Sequence, residues 1–539
     1  PRPPGSSVTA TVSGLAARLA ERPDGPALVT CRGGTSRAVG RGELLRRCHR
    51  IARALHDAGV RPGHKAVVMT RDAHDLTAVT YALGVLGAVP VLIEPRAEVS
   101  RCLEDVAPDV FVGEALAHLG RRVLRWGRPH VRVSLVTGPV PVPGVRRLVT
   151  AAPDTGPAAP TGLHEPDGDD TALIAFTSGS TGRPKGAEYR LSTLAGQLDA
   201  LTTLIGPRPD DVLLAGFLPI ALLGPLLGAV TVVPAVNHLA PARTRPQEVV
   251  GPVLEHRATV VLASPAVLTL LARHCVRHGI RLPSVRQVLS FGAPLRVGLA
   301  DALRAVVPDD ADIRSVYGAT ECLPVSSVGD HELRDTRTAP PVGHAGTCLG
   351  RPLPGVRARI LDADATGAGE ITVGGPTVSP AYHGRPDADA ATKSVTDEGL
   401  LHRTGDLGRI DEEGRLWFLG RRAHLITGVD TDTGDAFTLT PEDLEATADT
   451  VPGVRRTALV GIGTARRELP VLCVEPLPST PRAGALAAVR DAMRKHPDGH
   501  RVGAFLLHPG FPTDPRHNSK IDRHRLSGWA ARRLRGRLT

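Results

Sequence analysis

At 539 residues the chain can bury a large core and should divide into at least two domains, and its 42% hydrophobic content excludes a disordered or fibrous protein. The formal charge of +10 comes from 65 basic against 55 acidic residues, and only five of the basic set are lysines: Lys65, Lys185, Lys393, Lys495 and Lys520. Seven scattered cysteines without a C-x-x-C pair exclude a disulfide framework and a zinc site, and favour a reducing, cytoplasmic setting.

Taken in chain order, the first five residues carry no signal-peptide pattern. Residues 10–19 and 42–58 repeat apolar side chains at helical spacing, while 65–69 and 89–93 read as strands with a helical stretch between them. The runs 109–112 and 132–136 continue this series. Strands separated by helices imply parallel sheet and a layered α/β architecture. A Pro/Gly/Asp-rich segment, 151–170, reads as a surface connection leading into an apolar strand at 172–176. Residues 217–236 carry no charge and have the length of a membrane span, but Pro219, Gly224, Pro225, Gly228 and Pro234 interrupt them. A buried helix plus strand is the expected outcome there, and no stable membrane span is expected. Its aromatic-poor start, 217–227, reads equally as ordinary core or as the lining of an acyl pocket.

Further on, 259–263 and 287–290 are short strands, each followed by a helical pattern, and 350–371 has the turns and alternation of a β-rich subdomain. From Gly420 a smaller α/β pattern begins, with strands at 457–460 and 471–474. The expected division is therefore 1–419 and 420–539. The tail after Ile521 sets six arginines around Leu526, Trp529 and Leu534. Such a basic amphipathic stretch reads as a solvated terminal helix, or as a contact for acidic partners or membrane surfaces.

The most informative stretch is Thr177-Ser178-Gly179-Ser180-Thr181-Gly182-Arg183-Pro184-Lys185-Gly186. Glycines let backbone N–H groups curl around an anion, hydroxyls add donors, and Lys185 supplies a compact charge suited to phosphate. The order is not that of the P-loop, G-x-x-x-x-G-K-[ST]. A Ser/Gly-rich surface loop would not require these ten residues in this order. The run resembles the phosphate-loop signature of the adenylate-forming superfamily, whose members join a carboxylate to ATP as an acyl-adenylate and release pyrophosphate. The fold this implies is α/β: a large N-terminal AMP-binding domain of layered α/β subdomains plus a β-rich subdomain, and a small mobile C-terminal α/β cap.

Four further segments carry the same resemblance. Ser290-Phe291-Gly292-Ala293-Pro294 is similar to the family's loop beside adenine. Tyr317-Gly318-Ala319-Thr320-Glu321 is similar to Y-G-x-T-E, which implies stacking of Tyr317 on adenine, a phosphate contact for Thr320, and Mg²⁺ binding by Glu321. Thr404-Gly405-Asp406-Leu407 resembles the segment whose aspartate accepts from the ribose hydroxyls, and Gly420-Arg421 the start of the hinge, with Arg421 near the nucleotide. Arg516-His517-Asn518-Ser519-Lys520-Ile521 resembles the segment bearing the catalytic lysine, which implies that Lys520 stabilises charge developing between carboxylate and α-phosphate. Two of only five lysines thus fall at motif positions.

The departures point to one branch. After Gly420-Arg421 most relatives read x-Lys-Asp, whereas this chain has Arg422-Ala423-His424, and the loop to Pro441-Glu442-Asp443-Leu444-Glu445 is longer than usual. That loop helps build the pantetheine channel of CoA ligases. The altered hinge (Ala423, His424), together with 87–93, 456–461, 470–476 and 507–509, resembles the β-lactone synthetases of olefin and β-lactone biosynthesis. This resemblance implies adenylation of a 3-hydroxy fatty acid and attack of its own hydroxyl on the activated carbonyl. The base for that proton is not evident; His424 is readable either as that base or as a hinge residue. ATP and Mg²⁺ are the implied cofactors. The implied partners are a small carboxylic acid and pathway enzymes, a thiolase-like condensing enzyme and a ketoreductase, with no nucleic acid. The competing expectation is a fatty acyl-CoA or acyl-AMP ligase, which uses the same nucleotide-binding residues.

Overall fold

A computed structural model describes residues 12–93, 98–148, 167–177, 183–237, 240–338, 346–430, 433–464, 466–477, 480–512 and 521–535. By contact the chain forms two compact units: Pro1–Asp330 with Leu353–Arg357 and Val373–His402, and His331–Pro352 with Ala358–Thr372 and Arg403–Thr539.

The first unit holds two sheets. One runs in the order Ala381–Tyr382, Lys185–Arg190, Thr171–Thr177, Val89–Leu92, Lys65–Met69, Val110–Gly113, Val133–Val136, Arg146–Arg147. Its strands from Thr171–Thr177 onward in this order are mutually parallel, and Lys185–Arg190 pairs antiparallel. The run 65–69 is apolar on both faces because both are covered. Ala66 and Val68 join helices Val12–Glu21, Arg41–Asp57 and Ala73–Val85 in one core, while Val67 joins Phe111, Ile174, Phe176 and Leu103 in another. Helix Ala73–Val85 starts where the Asp72 carboxylate accepts from the Asp75 N–H at 3.0 Å.

The second sheet of this unit aligns Cys322–Gly329, Asp312–Ala319, Gln287–Phe291, Val260–Ala263, Val212–Ala215, Val230–Val233, Pro26–Arg32 and Thr35–Gly40. Residues 217–236 become two short helical turns and strand Val230–Val233, as the prolines dictate, and Ile220, Ala221 and Leu227 join the core of this sheet. Among the described residues no helix is long and apolar enough to cross a membrane.

Strands Arg357–Leu361, Gly369–Gly374, Gly399–Ile410, Leu416–Arg421 and Thr347–Pro352, most of whose residues belong to the second unit, lie side by side in that order. A three-stranded sheet comes next, Val454–Thr464, Arg467–Pro476 and Ala504–Leu507. Alternation along its strands feeds two cores: Leu459, Leu472 and Val474 face helices Pro441–Ala448 and Arg482–Arg494, while Ala458, Val460, Val471 and Cys473 face the C-terminal helix Arg523–Arg535. Leu526 and Ala530 of that helix are fully buried, so the amphipathic tail turns its apolar side to its own domain and is not simply solvated. Arg421 pairs with Asp406 across adjacent strands within the second unit. All seven cysteines are buried and none forms a disulfide.

Candidate active site

In the first unit the motif residues collect at strand ends. Strands Gln287–Phe291 and Asp312–Ala319 run parallel with Phe291 opposite Val316, so Gly292, just past the end of its strand, comes level with Tyr317, which still pairs with Ser326 near the carboxyl edge, the usual ligand side of such sheets. Gly292 has φ +94°, a left-handed turn that suits glycine, and Leu295 N–H donates to Ser315 Oγ at 3.1 Å to close the Gly292-Ala293-Pro294 loop. Thr320 and Glu321 form the tip of the hairpin whose strands pair Ala319 with Cys322. Gly318 is obligatory there, because a Cβ would lie 2.7 Å from Leu323 Cδ1 and 2.8 Å from the Cys322 carbonyl.

Thr177 and Lys185 face each other across the antiparallel pair 171–177 and 185–190, at the two ends of the phosphate loop. Ser178, Gly179, Ser180, Thr181 and Gly182 lie outside the described residues. The returning strand is tied to the hairpin tip by the Tyr189 hydroxyl, which donates to the Thr320 carbonyl.

The residue that joins these pieces carries no recognised motif. Tyr382, 4% exposed, donates its hydroxyl to Glu321 Oε1 at 2.6 Å. Lys185 Nζ stands 4.9 Å from the centroid of the Tyr382 ring, and Lys393 Nζ 5.2 Å from it. Lys393 also donates to the Ser379 carbonyl at 2.6 Å, and Ser379 N–H donates to the Glu321 carbonyl at 2.8 Å. His402, 3% exposed, meets the Tyr382 ring edge-on at 6.5 Å. Burial and the neighbouring Lys393 push the His402 pKa down to about 4, so its ring is neutral. Burial and the Glu321 carboxylate push the Tyr382 hydroxyl well up, which keeps it a proton donor to that carboxylate. Lys393 was marked in the sequence only by the scarcity of lysines; Tyr382 and His402 were not marked at all.

In the second unit Asp406, buried, forms an ion pair with Arg421, Nε to Oδ1 at 3.0 Å. The turn before Asp406 is fixed by Glu370, which accepts from Gly405 N–H at 3.2 Å and from Arg422 Nη1 at 2.9 Å, and pairs with Arg403. Burial raises the Glu370 pKa, but these guanidinium and amide donors outweigh it and lower the net value. Ala423 and His424 lie in the single turn Arg422–His424 beyond Arg421. Burial, with Arg523 and Arg421 beside it, pushes His424 down to about 3, so in this arrangement it is a weak base. Lys520 lies outside the described residues; the chain on either side is joined where Asp522 N–H donates to the Pro512 carbonyl at 2.9 Å.

Comparison with known proteins agrees with this arrangement. The model of the family described as AMP-binding enzyme matches residues 15–383. The olefin beta-lactone synthetase of Xanthomonas campestris pv. campestris is 38% identical over 552 residues, covering 95% of this chain and 96% of that protein. The olefin beta-lactone synthetase of Stenotrophomonas maltophilia is 38% identical over 523 residues, 92% of each chain. Among solved structures, amide bond synthetase McbA from Marinactinospora thermotolerans superposes with a TM-score of 0.76 at 25% identity, over 96% of this chain and 99% of that one. ATP-bound MatB from Rhodopseudomonas palustris shares the fold, with a TM-score of 0.75 at 23% identity over 97% of this chain and 99% of that one. A family match over residues 15–383, with near full-length relatives at 38% identity, means that this chain belongs to the AMP-binding, adenylate-forming enzymes.

Proposed function

We propose that this chain is an ATP-dependent acid-activating ligase that adenylates a 3-hydroxy acid and closes it to a β-lactone, releasing pyrophosphate and AMP. The observation that carries this reading is the 38% identity to an olefin beta-lactone synthetase over 95% of the chain. In the first step a carboxylate oxygen attacks the α-phosphorus and pyrophosphate leaves. In the second the β-hydroxyl oxygen attacks the activated carbonyl carbon, the carbonyl C–O bond to AMP breaks, and the hydroxyl proton passes to a base. Because the nucleophile is tethered, an effective molarity of about 10⁵–10⁸ M helps offset the strain of a four-membered ring.

In this reading the loop from Thr177 to Gly182 and Lys185 hold the phosphates, Gly292, Ala293, Pro294, Tyr317 and Gly318 frame adenine, and Asp406 with Arg421 holds the ribose. Thr320 contacts phosphate. Lys520, carried on the mobile cap 420–539, stabilises the charge added at the α-phosphate. The Glu321 carboxylate, fixed at one oxygen by the 2.6 Å hydrogen bond from Tyr382, is the hard-oxygen ligand that Mg²⁺ requires. When bound there, Mg²⁺ would neutralise charge on the departing pyrophosphate. Ala423 and His424 form the hinge. The 3-hydroxy acid substrate implies upstream enzymes that make and reduce a 3-keto acyl chain, a thiolase-like condensing enzyme and a ketoreductase.

Incubation with ATP, Mg²⁺ and a 3-hydroxy fatty acid in the absence of CoA tests the reading. Lactone with equimolar AMP supports it. A thioester that forms only when CoA is added, and equally from fatty acids lacking the hydroxyl, identifies the acyl-CoA ligase instead.

A further inference from the structure

Helix Ala115–Leu124 is built inside out. Its inward face carries a buried polar residue beside Ala117, which packs on the core: His118, 1% exposed, bonds through Nε2 to the Leu135 carbonyl at 2.9 Å and stands edge-on to Phe111 at 5.1 Å. Its aliphatic side chains point the other way. Leu116, Leu119, Val123 and Leu124 are 63, 57, 70 and 58% exposed. At i, i+3, i+7 and i+8 they form one stripe, opposite the face that His118 buries. Val140, 57% exposed, extends the patch on a loop that Arg122 holds against the helix by donating to the Pro143 carbonyl. Among the described residues no other helix carries more than one exposed large apolar side chain.

The charge beside the stripe is predominantly basic, and the Glu114 carboxylate at the start of the helix is paired with Arg71 at 3.1 Å. Residues 115–148 contain seven arginines and no Asp or Glu. Arg122, Arg125, Arg128 and Arg132 are exposed, as are Arg146 and Arg147 on the edge strand that pairs with Val133–Val136 beside the helix. A contiguous exposed apolar patch calls for a partner. A second copy of the chain would bring the same arginines face to face and meet repulsion. The stripe is aliphatic and lies on a convex helix, and half-buried Trp126, packed over Gly120, borders it with an amphipathic ring of the kind that suits a lipid–water boundary.

We propose that this face docks on an anionic lipid surface, with Leu116, Leu119 and Val123 entering the headgroup–acyl boundary and the arginines around them pairing with lipid phosphates. The contact is peripheral, places no segment across the bilayer, and stands independently of the ring-closing chemistry. The C-terminal helix, the other basic amphipathic stretch, is not available for this role, because its Leu526 and Ala530 are buried in its own domain.

Flotation of the full-length protein with vesicles of phosphatidylcholine alone, or mixed with phosphatidylglycerol, tests the proposal. Binding should require the anionic lipid and weaken with salt. The triple variant Leu116→Gln/Leu119→Gln/Val123→Gln should lose roughly tenfold or more in partitioning. All three positions are exposed and outside the nucleotide-binding segments, so pyrophosphate release should be unchanged, which also verifies folding. Equal flotation of wild type and triple variant would overturn the proposal. So would a wild-type dimer in sedimentation velocity that the triple variant disperses, or capture by an acidic protein without any vesicle binding.

Discussion

Removing one oxygen atom, by Tyr382→Phe, isolates what the hydroxyl does for Glu321. The ring stays, so its 4.9 and 5.2 Å contacts with Lys185 and Lys393 and its packing in a 4%-exposed position are retained. What is lost is a 2.6 Å hydrogen bond to an ionised carboxylate. Hydrogen bonds to charged groups contribute about 1.5–3 kcal/mol, and about 1.4 kcal/mol corresponds to a tenfold rate change, so kcat/KM for pyrophosphate release should fall roughly 10- to 150-fold. The concentration of Mg²⁺ needed for half-maximal ATP binding, read by calorimetry, should rise in parallel, while thermal stability changes little. In a cycle with Glu321→Gln, the second substitution should cost almost nothing once the first is present, because the two residues act as one unit. Rates and Mg²⁺ dependence within twofold of wild type, or additive losses in the cycle, would refute the coupling.

Asp406→Asn keeps the shape but discards the charge that pairs with Arg421 at 3.0 Å and that, in the proposed site, accepts from ribose, so KM for ATP should rise about tenfold with kcat nearly unchanged; a fall in kcat alone would contradict that assignment. Lys520→Ala should reduce adenylation by about 10²-fold or more, yet still turn over chemically supplied acyl-adenylate, as a residue serving only the first step would; equal loss of both half-reactions would contradict it. His402 supplies a pH dependence. Its folded pKa of about 4 lies below the ordinary 6.5, so below 6.5 the unfolded chain takes up a proton that the folded chain does not. Its contribution is intact above pH 6.5 and is lost as pH falls towards 4, at about 1.4 kcal/mol per pH unit. The stability difference between wild type and His402→Leu, followed by denaturant unfolding from pH 7.5 to 4.5, should narrow by about that slope; parallel curves would show that His402 is not the responsible group.

The strands legible in the sequence were those with unbroken apolar runs. Residues 65–69 emerged at their expected limits because both faces of that strand are covered, which leaves no polar interruption to blur the pattern. Local patterning could not show which surface a helix face meets. The tail helix and helix Ala115–Leu124 both have helical apolar spacing, yet one turns its stripe to strands 454–464 and 467–476 while the other turns it to solvent. That choice is made by distant partners such as the Leu135 carbonyl, which meets His118 from a separate strand and belongs to no local motif. The candidate site divides in the same way. Gly292, Tyr317, Glu321 and Asp406 could be proposed from the sequence because each stands in a short run whose order and spacing are local. Tyr382 was not, since it reaches Glu321 from 61 residues away and nothing in its neighbours' order announces the contact.

The most direct test of the central claim tracks oxygen. With a 3-hydroxy acid labelled by ¹⁸O at both carboxylate positions, activation at the carboxylate and then attack of the β-hydroxyl must deliver one label to AMP and leave one in the lactone carbonyl. Mass spectrometry of both products should show that split. Unlabelled AMP beside a lactone retaining both labels would mean that the hydroxyl, not the carboxylate, is the group activated, and would contradict the account.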